Sequence, residues 1–190
     1  MKRVLVTVGL VSGLALGLSS CSFVSVTPAS MDGMMMDHGN SEYSSSDLMF
    51  AEMMVPHHQQ AVTMGELART RAQNPQVRAI ASRIKSEQEP EIEQMKVWLG
   101  ESGVGEDEPM NMPMEGMLTA QELAHLKSLS GHSFDVLYLQ YMIKHHEGAI
   151  AMVSMIRNSK NSEVKALGEA IVNSQTAEIV EMKALLAQLG

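Results

Sequence analysis

The sequence predicts an all-α protein, a four-helix bundle made of two repeated helical hairpins with a short extra helix in the connection. Three observations predict this class. The hydrophobic fraction is 45% but aromatic residues make up only 4%, so a core must come from aliphatic residues and from the 18 methionines. Caps, prolines and glycines mark helix ends along the chain. One segment also occurs twice, and a length of 190 residues suits a single domain.

The repeated segment covers residues 50–70 and 138–158. The pairs that match at a constant offset of 88 are Phe50 and Tyr138, Met54 and Met142, His57 and His145, His58 and His146, Ala61 and Ala149, and Met64 and Met152. The pairs that match at an offset of 87 are Gln88 and Gln175, Glu91 and Glu178, Ile92 and Ile179, Met95 and Met182, and Lys96 and Lys183. Each copy is therefore a hairpin, and two hairpins form a bundle of the ferritin-like or up-and-down kind.

Capping residues and helix breakers predict the helix boundaries. The expected helices run from a cap at Ser46 or Asp47 to about residue 70, from Asn74 and Pro75 to about residue 99, from Thr119 to Gly131, from Ser133 or Asp135 to about residue 157, and from Ser162 to the C terminus. Pro56 lies inside the first helix and should kink it, whereas its counterpart Lys144 should not. Gly100 should stop the second helix.

Composition divides the chain into five segments. They are a lipoprotein signal peptide at 1–20, a flexible tether rich in Met and Ser at 21–46, the first hairpin at 47–100, an acidic Met-rich linker with the short helix at 101–132, and the second hairpin at 133–190. The two hairpins are expected to form one domain.

The N-terminal segment is an export signal. Lys2 and Arg3 precede an apolar run at 4–18 that is short for a membrane span and typical of a signal peptide. The run ends in LSSC, with Cys21 last, which resembles a bacterial lipobox. That resemblance implies a lipid on Cys21 and a membrane-anchored lipoprotein in the periplasm or another extracytoplasmic compartment. An ordinary signal peptide with a nearby cysteine is the alternative. A single cysteine leaves no disulfide.

The charge of the chain argues against nucleic acid as a partner. Cleavage before Cys21 removes two of the 14 basic residues and none of the 22 acidic ones, so the formal charge changes from −8 to −10. Such a surface repels nucleic acid and anionic lipid and attracts cations.

Positions 54, 57, 61 and 64 share one face of a helix because they are 3, 4 and 3 residues apart. The residues of this stripe are Met54, His57, Ala61 and Met64 in the first copy and Met142, His145, Ala149 and Met152 in the second. Thioethers and an imidazole beside a small residue are typical of a site for a soft ion such as Cu(I) or Ag(I). His58 and His146 leave the helix about 100° away and flank the stripe. If the stripes were only packing, all four imidazoles would need hydrogen-bond partners.

Hairpin geometry predicts which residues lie opposite the two stripes. If the hairpins turn near residues 72 and 160, these residues are Gln88, Glu91 and Met95 in the first copy and Gln175, Glu178 and Met182 in the second. Glu91 and Glu178 either orient the imidazoles as hydrogen-bond acceptors or bind metal directly.

Two polar stretches outside the long helices are also rich in methionine. The side chains there that could capture a soft ion are Met34, Met35, Met36, His38, Met110, Met112, Met114 and Met117. Alternating methionines in the linker have no core to fill, which favours a binding role. In the tether, a low-complexity spacer is the alternative.

Other sites fit the sequence less well. Zinc prefers thiolate, imidazole and carboxylate over thioether. A di-iron centre requires repeated Glu-x-x-His elements, but Glu122 and His125 form the only such spacing and fall on the short helix. The chain has no nucleophile elbow, phosphate loop or Cys-x-x-Cys motif. We therefore expect a protein that is not an enzyme and has no catalytic residues.

The whole pattern resembles the family called domain of unknown function 305, which includes CopM-like copper-binding proteins. The residues that carry the resemblance are Phe134 and Asp135, the run 142–152 (MIKHHEGAIAM), and Gln175, Glu178, Ile179 and Met182. The match covers about residues 47–188. It implies a ferritin-like bundle, export, and Cu(I) or Ag(I) as the bound ion.

The resemblance also implies a set of ligands. They are Met54, His57, His58, Met64, Met142, His145, His146 and Met152, with Met95 and Met182 as supporting donors. The first copy departs from the family pattern at Val55 and Pro56, and at Gln60 where the second copy has Gly148. These departures change the expected geometry of the first site, whereas the second site keeps the family pattern.

Three functions remain open from the sequence. The leading one is a lipoprotein that sequesters Cu(I), or transfers it to a copper exporter or chaperone. The second is a metal-dependent oxidase that uses the bundle centre. The third is a structural or interaction lipoprotein whose His and Met stripe is only packing. The stability of the protein with and without Cu(I) distinguishes the first function from the third, because Cu(I) stabilises the protein only if it binds at a true site.

Overall fold

The computed structural model describes residues 42–104 and 114–190. Within these two ranges the chain forms five α-helices and no β-strand, which confirms the all-α class. The helices are α1 (Ser45–Arg71), α2 (Pro75–Glu101), α3 (Ala120–Ser128), α4 (Gly131–Met152) and α5 (Ser162–Leu189), and a 3-10 turn (Val153–Ile156) follows α4. None of these described helices is both long and apolar enough to cross a membrane.

Helix α1 begins slightly before its predicted start because Ser44 is its cap. The Ser44 hydroxyl accepts a hydrogen bond from the backbone N–H of Asp47 at 3.2 Å, and the Asp47 carboxylate accepts one from the N–H of Ser44 at 2.9 Å. Asp47, one of the two predicted caps, is therefore the third residue of a capping box. The helix continues through Pro56 to Arg71.

Helix α2 starts as predicted, with Asn74 as its cap and Pro75 as its first residue. The Asn74 side chain accepts a hydrogen bond from a backbone N–H of the first turn at 2.7 Å. The predicted stop at Gly100 is wrong, because the helix extends to Glu101. The left-handed residue that follows it is Gly103, with a φ of +70°.

The capping box predicted at Thr119 is present. The Thr119 hydroxyl accepts from the N–H of Glu122 at 3.2 Å, and the Glu122 carboxylate accepts from the N–H of Thr119 at 2.8 Å. The helix does not reach Gly131 as predicted, because it ends at Ser128. Gly131, with a φ of +66°, is instead the first residue of α4.

The caps predicted for α4 at Ser133 and Asp135 are wrong, because both residues lie inside the helix. Asp135 is buried, and its carboxylate binds the backbone of the α1–α2 turn instead. Its two carboxylate oxygens accept hydrogen bonds from the N–H of Gln73 at 3.1 Å and of Asn74 at 2.8 Å. This buried carboxylate ties the start of α4 to the α1–α2 turn and so joins the two hairpins.

The second hairpin closes differently from the first. Helix α4 ends at Met152, short of the predicted residue 157, because Val153–Ile156 tighten into the 3-10 turn. Helix α5 begins at Ser162 as predicted, with Asn161 as its cap, and it ends at Leu189.

The two hairpins pack into one bundle. Helix α1 lies along α2, α4 lies along α5, and α1 also contacts α4. The core has two apolar clusters, one with Met54 and Trp98 and the other with Ala61 and Phe134. Positions 57 and 58 fall between Met54 and Ala61 on α1. The repeated histidines therefore form a polar layer between two apolar clusters.

Candidate metal centre

The four repeated histidines lie together in the middle of the bundle, fully buried. His57 on α1 faces His145 on α4, with ring centroids 3.8 Å apart and ring planes inclined by 35°. His58 lies 6.3 Å from His57, and His146 lies 6.4 Å from His145, measured between ring centroids. The two adjacent histidines therefore have nearly the same arrangement in both copies of the repeat. These four residues are called the histidine layer below.

Each flanking histidine is paired with a glutamate on the adjacent helix. The Nε2 atom of His58 is 2.8 Å from Oε2 of Glu91 on α2, and Nε2 of His146 is 2.8 Å from Oε2 of Glu178 on α5. The structure thus pairs both glutamates with the flanking histidines, whereas the hairpin geometry predicts only that Glu91 and Glu178 lie opposite the stripes. A carboxylate in this position fixes the tautomer and orientation of a ligating imidazole.

Six ring nitrogens of the histidine layer are buried and have no hydrogen-bond partner of good geometry. They are both nitrogens of His57, both nitrogens of His145, and the Nδ1 atoms of His58 and His146. Leaving a buried polar group unpaired costs about 1–3 kcal/mol, and folded proteins satisfy most such groups. A metal ion is one partner that would use several of these lone pairs at once.

Burial keeps the facing histidines uncharged. Removal from water lowers the pKa of His57 from 6.5 to about 3, and the charge of His58 acts in the same direction. Burial also lowers the pKa of His145 well below 6.5, with His57 and His146 adding to the effect. The backbone of Glu115 lies near His57 and raises its pKa, which opposes the effect of burial. The two groups do not form a hydrogen bond of good geometry. Metal ions bind neutral imidazole, so both rings are in the binding form at neutral pH.

Six buried methionines lie on the two sides of the histidine layer. One apolar cluster contains Met54, Met95 and Met152, and the other contains Met64, Met142 and Met182. Each cluster receives methionines from both copies of the repeat. Within residues 42–104 and 114–190, no three His, Cys, Asp or Glu side chains converge to enclose an ion. The six thioethers are the soft donors of the two adjoining clusters, and metal ligation by these methionines and the four histidines stays a prediction.

Other buried polar groups lie on the same helices. Gln88 and Gln175 are buried, and three of their four side-chain polar atoms have no hydrogen-bond partner. The hydroxyl of Tyr138 is also buried and unpaired, and burial raises the pKa of this phenol. The sequence analysis did not identify this hydroxyl. The observation that could have identified it is the repeat pair of Phe50 and Tyr138, in which only the second residue carries a hydroxyl.

The surroundings of the two glutamates differ. The Nε atom of Arg83 lies 3.5 Å from Oε1 of Glu178, a contact that the sequence pattern did not indicate. At an offset of 87, the residue that matches Arg83 is Ala170, which lines a groove of about 640 Å³ beside Glu91. The side chain of Glu91 is 16% exposed, whereas that of Glu178 is 6% exposed. The first copy is therefore the more open of the two.

The predicted capture residues are described only in part. Met114 and Met117 are half-buried at the end of the linker. The residues outside the described ranges are Met34, Met35, Met36, His38, Met110, Met112 and the predicted lipidation residue Cys21. The pair considered for an iron centre has other roles, because Glu122 caps α3 and His125 is exposed.

The fold and the site define a four-helix-bundle protein, with a short extra helix, that has a buried layer of histidines between methionines. The sequence profile of the family "Domain of unknown function (DUF305)" matches residues 47–186. The chain belongs to this family, which confirms the predicted relationship. No curated protein sequence matches the chain.

Solved structures of the family are similar over most of their length. A DUF305 protein from Streptomyces coelicolor, assigned as secreted, is 34% identical over 80% of this chain and 96% of its own, with a TM-score of 0.72. A DUF305 fragment from Deinococcus radiodurans is 31% identical over 77% and 98%, with a TM-score of 0.71. CopM in its Cu(I)-bound form is 33% identical over 75% and 96%, with a TM-score of 0.64. CopM is also similar in Cu(II)-bound, Ag-bound and apo forms.

Proposed function

We propose that this protein is an exported, lipid-anchored and non-enzymatic binder of a soft monovalent metal, Cu(I) or Ag(I). The observation that carries the proposal is the layer of six unpaired imidazole nitrogens with three buried methionines on either side. Imidazole together with thioether favours soft ions over Mg²⁺, Ca²⁺ and Zn²⁺. The similarity to CopM, described with Cu(I), Cu(II) and Ag bound, supports the same class of metal.

The donor set suits a monovalent ion. Thioethers are neutral, and burial holds His57 and His145 neutral as well. Glu91 and Glu178 provide negative charge one hydrogen bond away from the flanking rings. A thioether-rich environment also favours the reduced state of copper and so suppresses redox cycling.

The ion in this proposal is cargo. The bundle would hold Cu(I) tightly for sequestration, or pass it to an exporter or chaperone at the membrane. Lipid on Cys21 would keep the bundle close to that membrane, and the methionines of the tether and of the linker would capture ions for it. The acidic chain, with a net charge of −8, attracts cations.

The test is an anaerobic Cu(I) titration of residues 22–190 against a competing chelator. The comparison variant changes His57, His58, His145 and His146 to Ala. The matched control changes the two exposed histidines His125 and His132 to Ala. Circular dichroism checks that each variant is folded.

The proposal requires that the parent and the control bind tightly with one defined stoichiometry and that the layer variant loses those ions. If the parent and the layer variant bind alike, the metal belongs to the Met-rich linkers and the repeated stripe is core. If neither binds, the bundle has another purpose. Because four truncations could unfold the core, the double variant Met54→Leu and Met142→Leu, which keeps side-chain volume, provides a second test of the site.

A further inference from the structure

The end of the Met-rich linker is fastened across the histidine layer from two sides. On one side, the Gln60 side chain forms two hydrogen bonds with the backbone of Leu118. The amide Nε2 donates to the Leu118 carbonyl at 2.9 Å, and the Leu118 N–H donates to Gln60 Oε1 at 2.7 Å. Residues 115–118 are called the strap below.

On the other side, the strap lies directly on α4 at Gly148. A Cβ atom at Gly148 would lie 2.1 Å from the Glu115 carbonyl oxygen and 2.6 Å from the carbonyl carbon. A Cβ atom at Gly116, which has a φ of +84°, would lie 3.0 Å from the backbone oxygen of His145. Only glycine permits this approach at both positions. The strap is therefore in backbone contact with the turn of α4 that carries His145.

Gln60 and Gly148 are the two equivalent positions of the 88-residue repeat. One copy holds the strap with a long amide side chain, and the other receives it by having no side chain. The departure of the first copy from the pattern of the second thus has a structural reason. The bundle is nearly symmetric, but a single linker joins its two hairpins, so the two equivalent positions must meet that linker differently.

The strap adds a neighbour to His57 beyond those that the histidines find within the bundle. Glu91 is paired with His58, Glu178 is paired with His146, and the ring of His145 lies near the backbone of His57. The ring of His57 lies 3.8 Å from the ring of His145, and the backbone of Glu115, on the strap, also lies close to His57.

A ligating histidine almost always donates its second ring N–H to a carboxylate, a carbonyl or water. We propose that the Glu115 carbonyl is a positioning group of the metal centre, which the strap holds against His57 so that one ring nitrogen donates to it and the other is directed at the ion. This inference rests on the proposed function for its metal, but the approach of the Glu115 backbone to His57 belongs to the fold and does not require the metal. Gln60 and Gly148 are positioning residues in the same sense, because they act through Glu115.

The test uses Gly148→Ala, which pushes the Glu115 carbonyl away from α4. Its control is Gly100→Ala, also in a helix, where a Cβ atom would meet nothing within 4 Å. A second variant, Gln60→Ala, loosens the strap from the α1 side without adding an atom to α4. All three are compared with the parent protein.

The first measurement needs no metal. Nitrogen-15 NMR of histidine-labelled protein reports the tautomer of each ring. We expect Gly148→Ala and Gln60→Ala to shift the tautomer balance of His57 and to leave His58 and His146, which have their own glutamates, unchanged. Gly100→Ala should match the parent. Amide hydrogen exchange at Leu118 shows whether the strap has been released.

The second measurement is Ag(I) or Cu(I) affinity in the same variants. Loss of a group that orients a ligand costs about 10–100-fold in metal affinity, with stoichiometry unchanged. The inference is overturned if Leu118 becomes exchangeable while the His57 tautomer and the affinity stay as in the parent. It is also overturned if only Gly148→Ala has an effect, because distortion of α4 would then be the cause. If the parent binds no metal but the tautomer shifts occur, the positioning role stands and the proposed function fails.

Discussion

The rings of His57 and His145 lie 3.8 Å apart across the contact between α1 and α4. The two residues are equivalent positions of the sequence repeat, and each is fully buried. Two imidazoles at this separation cannot both be charged without strong repulsion in a site from which water is excluded. The pair therefore defines a neutral, electron-donating centre, and several expectations depend on that property.

Metal-free protein should lose stability as the pH falls below about 6.5, the ordinary pKa of histidine. Because the folded protein does not protonate His57 until a pH of about 3, the unfolded chain binds more protons between these values, and stability rises with pH there. The expected slope is about 1.4 kcal/mol per pH unit for each of the two rings His57 and His145, whose pKa values are lowered. Urea unfolding at pH 7.5 and pH 5 measures it.

The matched control for this slope is the double variant His57→Gln and His145→Gln. It removes both groups whose pKa is lowered, so its stability should depend less on pH over the same range. An equal slope in the parent and in this variant would assign the pH dependence to other groups.

The six buried methionines should be ligands rather than filling. Met54→Leu keeps the volume of the side chain, so the free energy of unfolding should change by less than about 1.5 kcal/mol. Leucine has no soft donor, and we expect Cu(I) affinity to fall at least tenfold. Met49→Leu, at a methionine that is 47% exposed, is the control and should change neither quantity. If Met54→Leu retains full affinity in a chelator competition assay, this thioether is packing.

The two His–Glu pairs should differ in strength. Glu178→Gln and Glu91→Gln each replace the carboxylate that orients a flanking histidine with a neutral amide, whose oxygen is a weaker acceptor, and this should lower metal affinity by about 10–100-fold. Glu178→Gln should cost more free energy of unfolding, because Glu178 is the more buried and also faces Arg83. Glu181→Gln is the control, since Glu181 contacts Arg83 at the surface. Chemical unfolding and competitive titration give both quantities, and a greater loss in Glu91→Gln would contradict the expectation.

Tyr138→Phe should leave the metal-free protein at least as stable as the parent. The hydroxyl of Tyr138 is buried without a partner. Removing it should therefore recover part of a desolvation cost of about 1–3 kcal/mol. Phenylalanine is already the residue at the equivalent position, Phe50, where it is also fully buried. Thermal unfolding without metal measures the change. A clear decrease in stability would mean that the hydroxyl has a partner, such as an ordered water.

Much of the site follows from local spacing. The periodicity of an α-helix places Met54 and His57 on one face wherever that helix lies, and the length of the hairpin turn places Glu91 opposite the stripe that these two residues share. Both expectations depend only on residues near one another along the chain. The same reasoning failed at helix ends such as Gly100, because several residues compete to end a helix and the packing of the following chain chooses among them.

Two features could not be read from the chain. The contact of Arg83 with Glu178 depends on how α2 and α5 are rotated against each other, which helical periodicity does not set. The reason for glycine at position 148 depends on the path of the linker, because Glu115 approaches α4 there from another part of the chain.

By itself the sequence determined that two equivalent helices would each bury histidine between methionines, because this property is contained in the 3.6-residue period and in the repeat. Only the tertiary structure decided that His57 meets His145 while His58 and His146 meet glutamates. Neighbouring histidines leave a helix in different directions, and the rotation of each helix against its neighbours selects which ring faces which partner. The tertiary structure also decided that Gln60 and Gly148 hold one strap between them. That contact joins segments far apart in the chain, and no local preference encodes it.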